Sequence, residues 1–203
     1  MKIFAIGMNY ARHVEEMTNR LSADPVFFMK PDSALLLNNK PFFYPDFSTD
    51  IHYEVEVVFK VCRLGRTIAE KFAPRYLSQA TVGIDFTARD VQYRCKEKGL
   101  PWEICKSFDN SAAVGRFVPL SELPSRHELN FRLDINGVTV QQGCTRDMIF
   151  SVDRIVSDLS RYFSLRVGDL IFTGTPQGVG PVHIGDHLQG YLEDQLLLDF
   201  FIR

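Results

Sequence analysis

The stretch Ile51-His52-Tyr53-Glu54-Val55-Glu56-Val57-Val58-Phe59 decides how the chain is read. Successive strand side chains point to opposite faces, so His52, Glu54, Glu56 and Val58 share one face and Tyr53, Val55, Val57 and Phe59 the other. The part from Val55 to Phe59 is more apolar than an exposed edge, yet the strand sets two carboxylates side by side. Such a pair is cheap when both groups are solvated, and otherwise needs a cation or one raised pKa to offset the repulsion. A second β-rich run, Thr81-Val82-Gly83-Ile84-Asp85-Phe86, ends in an isolated aspartate. Two glutamates and an aspartate, all oxygen donors, suit a hard divalent ion such as Mg²⁺ or Mn²⁺ that keeps positions open for a substrate. A solvent-facing strand that holds no ion is the competing reading of the same spacing.

Outward from this strand, the signals are mostly β. Phe131 to Ile135 and Val138 to Gln142 flank Asn136-Gly137, a pair suited to the type I′ turn of a hairpin. Val26 to Met29 reads as a short buried strand, Val167 to Thr173 as a turn and strand, and Leu196 to Ile202 as a closing strand. Four helices are expected: Asn9 to Arg20 with Asn9 as cap, Thr67 to Ala80 interrupted by Pro74, Thr87 to Lys98 from a Thr87 cap to Gly99, and Ser151 to Phe163. With no repeat, low-complexity tract or linker, residues 1–203 read as a single α+β, predominantly β domain whose strands roll around one core.

Composition narrows the function classes. The chain has 203 residues, 45% apolar and 24% charged, with 23 basic against 25 acidic side chains and a formal charge of −2. That balance removes the electrostatic reason for a nucleic-acid partner, which calls for a basic stripe. The opening Met1 to Gly7 is too short for a secretory core, and no apolar run approaches the ~18 to 20 residues of a membrane span. Cys62, Cys95, Cys105 and Cys144 lack zinc-site spacing and read as reduced thiols in a cytoplasmic protein.

Three further features carry chemical meaning. His13 and Glu16 lie three apart on the expected first helix, where they form either an oriented general base or a solvated pair. The loop Thr173-Gly174-Thr175-Pro176-Gln177-Gly178-Val179-Gly180 offers N–H groups and hydroxyls to an anion but lacks the lysine of a P-loop. Lys106, a lone cation in Ile104-Cys105-Lys106-Ser107-Phe108, either faces a carboxylate or snorkels.

Taken together, Gly7-Met8-Asn9-Tyr10-Ala11-Arg12-His13, Phe28-Met29-Lys30-Pro31, His52-Tyr53-Glu54-Val55-Glu56, Gly83-Ile84-Asp85-Phe86-Thr87-Ala88-Arg89-Asp90-Val91-Gln92, Lys98-Gly99-Leu100-Pro101-Trp102, Lys106-Ser107-Phe108-Asp109 and the loop from Thr173 to Gly180 resemble the fumarylacetoacetate hydrolase superfamily. The blocks run in family order and are closest to its small acylpyruvase and oxaloacetate decarboxylase branch. The resemblance implies the mixed β-roll of that family's C-terminal domain, a homodimer, and Mg²⁺ or Mn²⁺ at the positions matching Glu54, Glu56 and Asp85. His13 and Glu16 match a water-activating dyad on a segment that orders over the substrate, so residues 1–25 include a candidate lid. Lys106 and Gln92 match residues that contact substrate oxygens, Thr175 matches a pocket-lining position, and Arg89 and Lys30 fall in matching blocks. The stretch from Arg20 to Pro25 is short for the family.

The activity implied is hydrolytic C–C cleavage of an acylpyruvate-type 2-oxo acid. His13 deprotonates water, which attacks the distal carbonyl, and the metal and Lys106 stabilise the departing pyruvate enolate. Decarboxylation of oxaloacetate and isomerisation or tautomerisation of a hydroxydienedioate use the same enolate. A non-catalytic, metal-independent metabolite-binding module is the expectation from another class.

Overall fold

The apolar run after Glu54 becomes strand β5 (Val55–Val61), buried on both faces in the computed structural model, which describes residues 1–17 and 22–203. Val55, Val57, Phe59 and Val61 enter the main core, while Val58 packs on the other side with Ile3, Ala5, Leu170 and Phe172. Double-sided burial explains why the strand lacks the polar face of a surface strand.

The largest sheet runs in the order β2 (Val26–Lys30), β1 (Ile3–Gly7), β12 (Leu170–Phe172), β5, β6 (Leu77–Asp85), β8 (Ala112–Val114) and β3 (Leu35–Leu36), with β9 (Val118–Pro119) also paired to β6. A second sheet is ordered β11 (Val138–Cys144), β10 (Asn130–Ile135), β14 (His187–Leu192) and β15 (Gln195–Phe201). Its β10–β11 hairpin turns at Asn136-Gly137 as expected, and Leu133, Leu188, Leu198 and Phe200 carry it into the core. A small third sheet joins β13 (Gly180–Pro181), β4 (Ile51–Tyr53) and β7 (Thr87–Ala88). The mostly β architecture with few helices agrees with the fold class read from the sequence.

Four local expectations need correction. The alternation from Ile51 is not one strand, because the chain changes sheets at Glu54: β4 pairs with β13 and β7, β5 with β12 and β6. At the step, the Val55 N–H donates to the Gln141 side-chain carbonyl at 2.9 Å. The segment from Thr67 to Ala80 contains no α-helix. It forms a 3₁₀ stretch over Glu70–Tyr76, where Pro74 cannot supply an N–H, and then passes into β6, which starts opposite Val61.

Helix α1 spans only Ala11–Glu16, and Asn9 does not cap it. The Asn9 amide instead donates to the Thr173 carbonyl at 2.8 Å and accepts from the Phe150 N–H at 2.7 Å. The expected continuation of α1 to Arg20, and the start of the short stretch from Arg20 to Pro25, lie outside the described residues. Helix α2 (Arg89–Lys98) starts after Ala88, two residues beyond the expected Thr87, and closes at Gly99. The last expected helix is present as α4 (Val152–Tyr162), with the Ser151 hydroxyl accepting the Arg154 N–H at 3.2 Å. Strand β1 had no counterpart in the sequence reading; it lies parallel to β12.

Candidate active site

The three carboxylates meet because of strand register. Glu56 lies opposite Gly83, and two residues further along, past the Val55–Ile84 pair, the Asp85 N–H donates to the Glu54 carbonyl at 2.9 Å. Glu54, Glu56 and Asp85 therefore project from one face, each with a carboxylate oxygen within 4.8 Å of the others. Their exposures of 6%, 1% and 1% rule out the solvent-facing reading of the glutamate pair.

Helices α2 and α3 (Glu103–Lys106) bring cations to this group. Lys106 Nζ donates to Glu54 Oε2 and Asp85 Oδ2 at 2.8 Å each and to Thr87 Oγ1 at 2.6 Å. The lone lysine thus faces carboxylates and does not snorkel. Arg89 Nη2 donates to Glu54 Oε1 at 2.7 Å and Nη1 to Gln92 Oε1 at 2.6 Å. Lys30 approaches from behind the triad: its ammonium stands 2.6 Å from Asp85 Oδ1 and bonds to the Lys106 carbonyl and to Ser111.

These neighbours split two adjacent glutamates. Burial opposes charge on Glu54, but the Lys106 ammonium and Arg89 guanidinium hold its carboxyl well below the usual range. Glu56 goes the other way, since burial and the Asp85 charge push its carboxyl well above the usual value, only partly offset by the Gly174 N–H. That N–H lies 2.7 Å from Glu56 Oε2. Burial works against charge on Lys106 too, yet Asp85 and Glu54 raise its ammonium above the ordinary value.

The triad fits a hard divalent cation on three grounds. All donors are carboxylate oxygens. Glu56 makes no ion pair among the described residues, and Asp85 Oδ1 accepts no well-aligned hydrogen bond despite the nearby Lys30 ammonium. A buried carboxylate without a counter-charge and an undersatisfied oxygen are what an added cation would compensate.

Above the triad, α1 presents His13, whose Nδ1 lies 3.0 Å from Glu16 Oε2. Glu16 Oε1 accepts the Gly178 N–H at 3.0 Å. The glycine-rich loop does offer N–H groups to anions, and in the structure those anions are Glu56 and Glu16. Gly174 has φ +97°, and a Cβ there would meet the Asn9 Cβ at 2.8 Å, so glycine is required for the close approach.

A cleft of about 280 Å³ opens over these groups. His13, Glu54, Glu56, Asp85, Arg89, Gln92, Lys106 and Thr175 border it. Glu16 stands behind His13, and Lys30, at 2% exposure, stands behind Asp85 away from the cleft. The sequence reading missed Lys96 and Trp102, which also border the cleft, and the buried Gln141, which donates to the Thr175 hydroxyl at 3.0 Å. Lys96 follows Arg89 and Gln92 at helical spacing, a signal that was available in the sequence.

The curled, mostly β fold agrees with what comparison with known proteins finds. The Fumarylacetoacetate (FAA) hydrolase C-terminal family matches residues 2–197, and the chain belongs to that family and is an enzyme of it. It is 39% identical over 201 residues to the mitochondrial oxaloacetate tautomerase of Mus musculus, covering 99% of this chain and 91% of that protein. It is 40% identical over 185 residues to the mitochondrial oxaloacetate decarboxylase of Dictyostelium discoideum, covering 91% and 85%. The crystal structure of fumarylpyruvate hydrolase from Pseudomonas aeruginosa, in complex with Mn²⁺ and pyruvate, superposes with a TM-score of 0.94 at 36% identity, covering 100% of this chain and 89% of that one.

Proposed function

We propose that the chain is a divalent-cation-dependent enzyme of small 2-oxo acids whose working reaction is proton transfer at C3 of an oxaloacetate-type substrate, interconverting keto and enol forms. One observation carries this reading: an imidazole oriented by a carboxylate borders the same cleft as a buried carboxylate triad with a lysine. The names of the tautomerase and decarboxylase relatives support the substrate class.

Glu54, Glu56 and Asp85 would hold Mg²⁺ or Mn²⁺, which when bound supplies Lewis acidity toward the carboxylate and 2-oxo oxygens of the substrate. His13, with Nδ1 turned to Glu16, takes the C3 proton at Nε2. The C–H electron pair becomes the C2–C3 double bond, and the carbonyl pair moves to the 2-oxo oxygen. The Lys106 ammonium bears on the negative charge that builds at that oxygen, where return of the proton gives the enol. Arg89, Gln92 and Thr175 orient the substrate from the cleft wall. Lys30 supports Asp85 and the Lys106 backbone without touching substrate.

In this reading residues 1–203 form one catalytic unit and α1 belongs to a lid within residues 1–25. A homodimer is supported by an apolar groove lined by Phe47, Ile104 and Phe108. The unpaired cysteines support a reducing compartment, which we take to be the cytoplasm.

The His13–Glu16 pair also favours a second reaction, in which Nε2 deprotonates water for attack on the distal carbonyl of an acylpyruvate. Loss of CO₂ from oxaloacetate would need no such water. The test follows the enol absorbance of oxaloacetate and pyruvate release from acylpyruvates, with and without Mg²⁺. Enol exchange that is accelerated by Mg²⁺-loaded protein and abolished by chelator is the expected result. An uncatalysed exchange rate alongside metal-dependent cleavage of acylpyruvate would replace the first reading with the second.

A further inference from the structure

Helix α2 turns one polar stripe toward the cleft. Arg89, Gln92 and Lys96, spaced three and then four residues apart, all border it, while Val91 and Cys95 are buried on the other side of the helix. The first two already have protein partners: Arg89 holds Glu54, and Gln92 accepts from Arg89. Lys96 differs. At the exposed rim of the cleft its ammonium makes no ion pair or hydrogen bond among the described residues, and it stands 6.0 Å from the centre of the Trp102 ring.

The charge pattern of the cleft gives this difference meaning. Arg89, Lys106 and Lys30 each pair with Glu54 or Asp85. Their charges are therefore matched by direct ion pairs with the triad, whereas among the described residues no carboxylate forms an ion pair with Lys96. A 2-oxo acid that places one carboxylate and its carbonyl at the triad would carry its remaining chain elsewhere in the cleft. The Lys96 ammonium on the helix stripe, beside an aromatic ring that can lie against a planar chain, suits a second carboxylate at that far end.

We propose that Lys96 reads the distal carboxylate of a 2-oxo diacid, and that it sets the preference for diacids over 2-oxo acids with uncharged tails. The inference rests on the reading of the cleft as a 2-oxo acid site. Lys96 is a specificity residue in this assignment, with no part in the proton transfer.

The test is calorimetric titration of the Mg²⁺-loaded protein with two ligands of equal chain length. The first is 3,3-difluoro-oxaloacetate, which has no C3–H to remove. The second is 2-oxobutyrate, in which a methyl group replaces the distal carboxylate. Lys96→Gln is expected to weaken the diacid by roughly 10- to 100-fold, as befits loss of a charge-assisted contact, and to shift 2-oxobutyrate by less than about threefold. Lys96→Arg, which keeps the charge, is expected to stay within about tenfold of the parent for the diacid. Equal weakening of both ligands by Lys96→Gln, or no weakening of either, overturns the assignment while leaving the 2-oxo acid site intact. If the parent protein binds neither ligand, the reading of the cleft falls with it.

Discussion

The triad and helix α1 face each other across one cleft, but they are held in different ways. Glu54, Glu56 and Asp85 are fixed by the β5–β6 register and by contacts from Lys106, Arg89 and the Gly174 N–H. Helix α1 has six residues and no side-chain cap at its start, and its Glu16 reaches the rest of the protein through the Gly178 N–H. A helix this short has little stability of its own and depends on what it docks against. Under the proposed function, cation binding and proton transfer would then rest on parts that can fail separately: a variant in the floor should cost cation binding, whereas a variant in α1 should cost rate.

The largest effect tests the floor. Glu56→Gln keeps the volume and an acceptor for the Gly174 N–H but removes one negative donor. Metal-dependent activity is expected to fall by about 10³-fold or more, and the rise in Tm produced by Mg²⁺ to vanish. Burial already presses Glu56 toward its neutral form, so the chelator-treated variant is expected to unfold no earlier than the parent. An unchanged Mg²⁺ effect on Tm would remove Glu56 from the cation site.

Next in size is the helix. His13→Ala is expected to reduce enol exchange by about 10² to 10⁴-fold, the range of general-base catalysis, with the Mg²⁺-induced Tm rise preserved. If that rise is lost as well, α1 belongs to the floor and the separation is wrong. The same variant is expected to spare loss of CO₂ from oxaloacetate, which needs no base, and Lys106→Ala to depress both reactions. A smaller loss, about 10- to 100-fold in kcat, is expected for Glu16→Gln, which leaves the imidazole in place but weakens what orients it.

The two regions also differed in how legible they were. The triad could be read because the two-residue alternation of extended backbone still sets Glu54 and Glu56 on one side although the chain changes sheets at Glu54, and Asp85 ends a run of β formers. That the chain changes sheets at Glu54 could not be read, because the partners on either side of the step, among them Gln141 accepting the Val55 N–H, are remote in sequence. Asn136-Gly137 announced its hairpin since the turn chemistry is local. The run from Thr67 to Ala80 misled because pairing with β5 outweighs local helical pattern, a tertiary effect. In α1, the His13–Glu16 spacing was visible while the Gly178 tether was not. Lys96 was legible in principle, as the third member of a helical stripe, but a lone lysine near Lys98 looks like solvent-facing charge until Trp102 and the cleft are placed beside it.

The smallest expected effect concerns the start of α2, which carries Arg89, Gln92 and Lys96 and so counts as part of the fixed region. No side chain caps this helix at Ala88. The adjoining Asp90 instead ties it to the preceding loop: Oδ1 accepts from the Ser48 hydroxyl at 2.6 Å and the Val91 N–H at 2.8 Å, and Oδ2 from the Thr49 N–H at 3.4 Å. Partial burial opposes the charge, but these donors outweigh it and hold the carboxyl below its ordinary value. A depressed aspartate contributes stability that is present above the unfolded pKa of about 4 and is lost as pH falls through the folded value. Asp90→Ala is therefore expected to cost about 1 kcal/mol at neutral pH, or about 2 to 4 °C in Tm for a chain of this size. The gap between variant and parent is expected to narrow below about pH 4, as the parent carboxylate takes up its proton. Thermal unfolding of both proteins from pH 7 to pH 3 measures it. A gap that stays constant would mean that packing, and not the carboxylate charge, fixes the start of α2. Activity at 25 °C that fell with the stability would show that the stripe is held less firmly than the triad.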